Sequence, residues 1–409
     1  MTAPLRILFL HRNQPAQFEF FARWLAQNGW QVTFAHVGPA PSDTTDADGI
    51  RTLRFPAPPD ERRADDYRYA LDYAAQTALG ATQLFTQLRE LEGYHPDLVL
   101  AHVGWGIGLT VRQIWPATRY IAYHEWYYTD VDWDRSKRER PMTPEALLTN
   151  RLRNLPISAE FDSADRNWCP TGFQASRFPP ALRARLEIVP DGVDCGFHRP
   201  DPEARIDFDW LRLPGRPKLL TYATRGMEPL RGFPQFMRAV ALLQKRRADF
   251  ETLVVAQDSV SYGPRLAEDD GWGKRALKAL DLDRGRLHMH GLKPRAEYLR
   301  VLQASSAHVY FTEPFVTSWS LLEAMAAGCL VIGSHTAPVR EVIEDMQTGI
   351  LVDMDESDEV AEMIDWVFEH PAEVAAIRAN ARAHVLERFE AGKVFARKAA
   401  YLRALVAGG

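Results

Sequence analysis

The chain has 409 residues, enough for two or three ordinary domains. Hydrophobic content of 46% and charged content of 25% are those of a soluble globular protein, and a net charge of −5 gives no overall field to hold nucleic acid. No apolar run approaches the ~18 residues of a membrane span, and the scattered Cys169, Cys195 and Cys329 have neither metal-ligand nor disulfide spacing, which fits a reducing cytoplasm.

The opening residues, Met1-Thr-Ala-Pro-Leu-Arg-Ile-Leu-Phe-Leu10, turn polar too soon for a signal peptide and predict a buried strand over 6–10. A helix is expected over 16–27, strands over 31–36 and 51–55, and a helix over 65–91. A strand over 97–102, a helix over 106–115 and strands over 119–123 and 186–189 follow. His11, His102 and His124 end strands or begin the loops after them. A lone histidine is more often a hydrogen-bonded structural residue, but three at the strand ends of one domain are candidates for a cleft. His124-Glu125-Trp126-Tyr127-Tyr128 adds aromatic faces of the kind that pack on sugar rings.

Three motifs in this half leave alternatives open. Gly104-Trp-Gly106-Ile-Gly108 follows a strand as a dinucleotide loop does, with its third glycine one residue early, at Gly108 rather than Leu109. Glu125 stands where such a fold keeps its ribose acid, so a dinucleotide-dependent oxidoreductase or epimerase is one reading. Asp130-Val-Asp132-Trp-Asp134 is either structural or a divalent-cation site; Pro141 in place of a final Glu excludes a calcium loop of the EF-hand kind. The basic run Arg135-Ser-Lys-Arg-Glu-Arg140 is a solvated loop or a patch for an anionic membrane surface.

Proline and glycine crowd 190–217, which marks an interdomain linker. Beyond it strands are expected over 218–222, 252–256, 286–289, 308–311, 330–333 and 350–352. Helices are expected over 232–245, 295–304 and 318–327, with a helical tail over 357–406. Arg225 and Arg231 bracket the turn after the first of these strands. A pair so placed can grip a diphosphate from two sides, because guanidinium matches phosphate geometry; the plain alternative is two surface arginines. In Ser318-Trp-Ser-Leu-Leu-Glu-Ala-Met-Ala-Ala-Gly328, Ser318 is suited to cap a helix and Gly328 to close it. The N–H groups at that helix start favour an anion. Glu323 lies on the small-residue face with Ser320 and Ala327, open to a ligand. Phosphate at the helix start and a sugar hydroxyl on the carboxylate together describe a nucleotide.

Strand–helix alternation in both halves predicts an α/β protein of two doubly wound, Rossmann-like domains facing a cleft. The expected boundaries are 1–195 and 196–389, followed by a C-terminal helix near 390–406.

At this point the chain resembles the retaining glycosyltransferases of family four, which have the GT-B fold, over nearly its whole length. Pro190-Asp-Gly-Val-Asp194 resembles that family's interdomain segment, and Glu323-Ala-Met-Ala-Ala-Gly328 its ribose-binding helix. The resemblance implies that Arg225 and Arg231 hold the donor diphosphate and that Glu323 holds the ribose. It places Gly291 at the base, and Thr317, Ser318 and Trp319 around the donor. His124 takes the place of a residue beside the transferred sugar. The turn carrying Gln14 and Gln17 lies where the family often has a glycine-rich loop, which with His11, His102 and Glu125 makes an acceptor-side set. Phe315 stands where the family usually has a glutamate near the sugar ring, and this departure raises the alternative of a nucleotide-sugar-binding protein without activity.

The implied activity is metal-independent hexosyl transfer from a nucleoside diphosphate sugar to a saccharide, lipid-linked or other hydroxyl acceptor. The first domain would bind acceptor, with the C-terminal helix near 390–406 packing back on it, and the second would bind donor. No further cofactor and no nucleic acid are implied. Cell-surface polysaccharide or glycolipid synthesis in the cytoplasm is the expected setting, with peripheral contact at the inner membrane face as a variant.

Overall fold

The computed structural model describes residues 3–14, 16–56, 67–129, 142–262 and 266–408. The Asp130–Asp134 triplet and the Arg135–Arg140 run lie outside them. The described residues divide into two compact units, 3–191 with 393–408, and 192–392.

The first unit is built on an eight-stranded sheet. Its strands are β1 (Arg6–His11), β2 (Gln31–Gly38), β3 (Ser42–Thr45), β4 (Arg51–Pro56), β5 (Leu98–His102), β6 (Arg119–Tyr123), β7 (Arg166–Cys169) and β8 (Leu186–Ile188). They run in the order β3-β4-β2-β1-β5-β6-β7-β8, parallel except for the β3–β4 pair. Ile7, Leu8, Phe9 and Leu10 are all 0% exposed, as a central strand covered by helices on both faces requires. The strand order reverses between β1 and β5, so His11 and His102 stand at the C-terminal ends beside the switch point. The C-terminal helix Ala391–Ala407 joins this unit from Lys393 on. Its Phe395 ring lies 5.3 Å from Phe21, and the Tyr401 hydroxyl donates to Glu187 Oε1 at 2.8 Å.

The second unit holds a short hairpin, β9 (Asp207–Phe208) with β10 (Leu211–Arg212), and a six-stranded parallel sheet. The sheet comprises β11 (Lys218–Gly226), β12 (Phe250–Gln257), β13 (Leu287–His290), β14 (Ala307–Tyr310), β15 (Val331–Ser334) and β16 (Ile350–Val352), in the order β13-β12-β11-β14-β15-β16. Phe233 and Phe236 from the helix Phe233–Arg246 are fully buried against it, with Phe236 stacked on Tyr222 at 4.8 Å. Here the order reverses between β11 and β14.

Several segments differ from expectation. The helix expected over 106–115 shrinks to one turn, Val111–Ile114, because the glycines before it form a loop. A helix over Pro144–Ser163, capped by the Thr143 hydroxyl, and strand β7 were not legible in the apolar pattern. The helical tail is three helices, Ser357–Glu369, Pro371–Arg388 and Ala391–Ala407.

Candidate functional site

The switch point of the second sheet opens into a cavity of about 320 Å³. Its wall takes Arg225 from the end of β11, Tyr310 from the end of β14, and Ser318, Trp319 and Glu323 from the next helix and its cap. Arg231 is 7% exposed and anchored: its Nη1 donates to Thr312 Oγ1 at 2.8 Å and to the Val316 carbonyl at 3.4 Å. Its guanidinium lies 5.6 Å from the Tyr262 ring and 5.9 Å from the Phe315 ring. Arg225, by contrast, is exposed on the rim. The turn that aims Arg231 depends on Gly232, which has φ +65° and whose Cβ position would fall 2.5 Å from Phe311 Cβ.

Ser318 caps the helix Trp319–Ala326: its Oγ accepts from Ser320 N, and its own N–H donates to the Tyr310 hydroxyl at 2.8 Å. The helix buries Leu321, Ala324, Met325 and Ala326, which leaves Glu323 on the cavity side. Burial raises the Glu323 carboxyl above its ordinary value, opposed by the nearby Arg295 charge.

Phe315, Thr317 and Gly291 lie outside this lining. Phe315 packs edge-on against Tyr262 at 5.2 Å, and the Thr317 hydroxyl donates to the Pro338 carbonyl at 3.3 Å. Gly291 is exposed, while Leu292 and Lys293 after it reach the cavity. Sequence reading missed Glu228, which is 1% exposed, lines the cavity and accepts the N–H groups of Ser261 (2.6 Å) and Tyr262 (2.8 Å). It ties the loop after β12 to the turn after β11, and its only local signal was its place between the two arginines. Tyr262, Lys293 and Tyr298 were missed for the same reason: distant segments bring them to the wall.

In the first unit His11, His102, Gln17 and Glu125 form one cluster. The His11 and His102 rings are 4.7 Å apart. Glu125 Oε2 lies 3.3 Å from His102 Nε2, and Glu125 Oε1 accepts from Gln17 Nε2 at 3.0 Å. Burial, then His102, holds the His11 imidazole well below its ordinary value. Gln14 stands apart, donating to Thr52 Oγ1 at 3.2 Å.

His124 lies in the core of the first unit. Expected beside a sugar, it is 0% exposed, with Nε2 2.8 Å from Asn167 Oδ1 and its ring 4.9 Å from Phe161 and 5.5 Å from Phe178. Alternation along the extended chain sends Tyr123 and Glu125 one way and His124 the other, into the core.

The dinucleotide-loop reading also fails. The N–H groups of Gly104 and Gly108 donate to the buried Glu160 carboxyl at 3.4 and 3.1 Å, and Tyr120 adds its hydroxyl at 3.0 Å. A Cβ on Gly106 would fall 2.2 Å from the Ala74 carbonyl oxygen, and one on Gly108 2.1 Å from the Tyr120 hydroxyl. Close packing, not a ligand, accounts for these glycines. Burial pushes Glu160 up to about 7. Among the described residues no group of three or more His, Cys, Asp and Glu side chains could hold a metal ion, and no helix is long and apolar enough to cross a membrane.

The profile described as Glycosyl transferase family 4 group matches residues 28–197, and that of Glycosyl transferases group 1 matches residues 205–384. The chain belongs to the family-four glycosyltransferases. A GDP-mannose-dependent alpha-(1-6)-phosphatidylinositol monomannoside mannosyltransferase of Mycobacterium tuberculosis is 28% identical over 238 residues, covering 56% of this chain and 58% of that one. A D-inositol 3-phosphate glycosyltransferase of Rhodococcus jostii is 26% identical over 247 residues, covering 59% and 52%. The matched stretches thus span little more than half the length of these curated relatives. Among solved structures, sucrose-phosphate synthase from Thermosynechococcus elongatus aligns with a TM-score of 0.74 at 17% identity, covering 99% of this chain and 100% of that one. Anabaena HepE in complex with UDP-glucose aligns with a TM-score of 0.66 at 16% identity, covering 97% and 99%. The likeness is one of fold: this family-four chain has the GT-B architecture, two doubly wound α/β units on parallel sheets.

Proposed function

We propose that the protein is a retaining, metal-independent glycosyltransferase that moves a hexosyl group from a nucleoside diphosphate sugar to a hydroxyl acceptor. The second unit is the donor domain and the first the acceptor domain. The observation that carries this reading is the single cavity that gathers Arg225, Arg231, the start of the helix Trp319–Ala326 and Glu323. Two guanidiniums and a helix N-terminus suit a diphosphate. A buried carboxylate on the same wall suits the hydroxyls of the attached ribose.

In the proposed reaction the bond from the anomeric carbon to the diphosphate oxygen breaks, and its electron pair leaves on the diphosphate. The acceptor oxygen bonds to that carbon on the same face, and its proton passes to the leaving diphosphate. Arg225 and Arg231 stabilise the charge that develops there, so the site needs no bound cation for this purpose. Gln17, His102 and Glu125 are read as acceptor-side residues. The phosphatidylinositol monomannoside mannosyltransferase relative supports a glycolipid as the product; a cell-surface saccharide, and synthesis in the cytoplasm or at its membrane face, belong to the same proposal.

The test offers a panel of nucleotide sugars, with and without phosphatidylinositol mannosides and simple glycosides, in excess chelator. The expected result is nucleoside diphosphate released from one donor and a product with the donor's anomeric configuration. Inverted product, or activity that returns only with manganese or magnesium, contradicts the mechanism. Release from no donor contradicts the function.

A further inference from the structure

Glu228 is out of place in a site for an anion. It stands on the turn between Arg225 and Arg231 and lines the same cavity. It is 1% exposed, and burial raises its carboxyl above the ordinary value, opposed by the N–H groups of Tyr262 and Ser261 and by the charges of Arg231 and Arg225. A carboxylate buried at that cost needs a use for both oxygens.

The chain itself uses one. The N–H groups of Ser261 and Tyr262 both donate to Oε2, at 2.6 and 2.8 Å. Oε1 accepts no hydrogen bond from a described residue, and it is not sealed from solvent. Holding the loop after β12 takes a single acceptor oxygen, which a neutral amide also provides. A second, charged oxygen on the cavity wall adds nothing to that hold, and it repels a diphosphate.

Oε1 therefore calls for a ligand group that donates. In a nucleoside diphosphate sugar the hydroxyls lie on two rings, the ribose and the transferred sugar, at opposite ends of the diphosphate. The ribose is assigned above to Glu323, on the helix Trp319–Ala326. Glu228 comes from a different element, the turn between the arginines, so a second carboxylate is left for the second ring. Phe315, packed edge-on against Tyr262 at 5.2 Å, brings no acceptor to that wall.

We propose that Glu228 determines donor specificity: Oε2 holds the loop at Ser261 and Tyr262, and Oε1 accepts from a hydroxyl of the transferred sugar. This deepens the donor reading given above and rests on it.

The test compares wild type with Glu228→Gln. The amide oxygen of glutamine keeps the acceptor for Ser261 and Tyr262, which melting temperature checks, while its NH2 group puts a donor where the cavity had an acceptor. Calorimetry measures UDP and GDP affinity. Turnover is measured with the nucleotide sugar that the donor panel identifies and with its monodeoxy sugars. Glu228→Gln should bind the nucleoside diphosphate at least as well as wild type, because a repelling charge is gone. It should lose about ten-fold or more in kcat/KM with the nucleotide sugar. Deleting one sugar hydroxyl should cost wild type a similar factor and the variant little more. Equal losses for nucleoside diphosphate and nucleotide sugar reduce Glu228 to a loop anchor and overturn the assignment, as does an unchanged kcat/KM. If Glu228→Gln does not fold, the wild-type series decides alone: no loss with any single sugar hydroxyl deleted overturns it. Binding of neither UDP nor GDP, or an inactive donor panel, defeats the donor reading itself, and this inference falls with it.

Discussion

Arg225 and Arg231 carry the same charge in opposite settings, and their variants should part accordingly. Arg225 is exposed on the cavity rim, whereas Arg231 is buried on Thr312 beside two aromatic rings. Arg225→Ala should lower kcat/KM by about ten- to a hundred-fold, the worth of a hydrogen bond to a charged group, with melting temperature unchanged. Arg231→Ala should lower both, since it removes the donor to the Thr312 hydroxyl and the Val316 carbonyl and opens a gap beside Tyr262 and Phe315. Wild-type turnover in Arg225→Ala counts against the diphosphate assignment. His124 gives a prediction in acid. Burial holds its imidazole at about 4 against the usual 6.5, so the unfolded chain binds this proton more readily than the folded one. The stability it contributes is fully present above about pH 6.5 and is lost as pH falls towards 4, up to about 3 kcal/mol. His11, His198 and His308 are lowered in the same direction. His124→Phe should therefore remove one share of the acid sensitivity in denaturant unfolding at pH 7 and 4. An identical loss in wild type and variant contradicts this. Sequence placed His124 at a strand end correctly, but the face it takes depends on where extended backbone continues past β6, which no local pattern reveals.

At the scale of elements, hydrophobic runs bounded by turn residues were enough to find every strand of the second sheet. Their central residues are buried on both faces, so the runs are nearly continuous. What escaped was polar or short. Strand β3 is Ser42-Asp-Thr-Thr45 on the sheet edge, and β9 and β10 have two residues each. The helix Pro144–Ser163 exposes Leu147, Leu148 and Leu155 and carries Pro156 inside, so its sequence lacks a clean apolar stripe. That helix nonetheless supplies Glu160, the acceptor for the Gly104–Gly108 loop. The glycine motif suggested phosphate because its spacing is local, while the carboxylate that occupies its N–H groups lies more than fifty residues on. Glu160→Ala should cost about 3 kcal/mol, leaving two backbone N–H groups and the Tyr120 hydroxyl without their acceptor. Nucleoside diphosphate affinity, which the proposed function assigns to the second unit, should stay the same. A melting temperature equal to wild type, or a change in that affinity, contradicts the structural role of Glu160.

At the scale of the molecule, each unit reverses its strand order once, and each reversal falls where chemistry-bearing side chains gather. In the first unit the reversal carries His11 and His102; in the second it opens the cavity with Arg225, Arg231 and Glu323. This much of the site followed from topology, since parallel sheets with helices on both faces present their C-terminal strand ends to ligands. Tyr298 was beyond reach, because it comes from a separate segment and sits in no motif. The measurement that bears most directly on the central claim is a crystal structure with UDP or GDP bound. The diphosphate should lie between Arg225, Arg231 and the start of the helix Trp319–Ala326, with the ribose hydroxyls within hydrogen-bond distance of Glu323. Nucleotide density on the Gly104–Gly108 loop, or in the second unit with its ribose away from Glu323, contradicts the account.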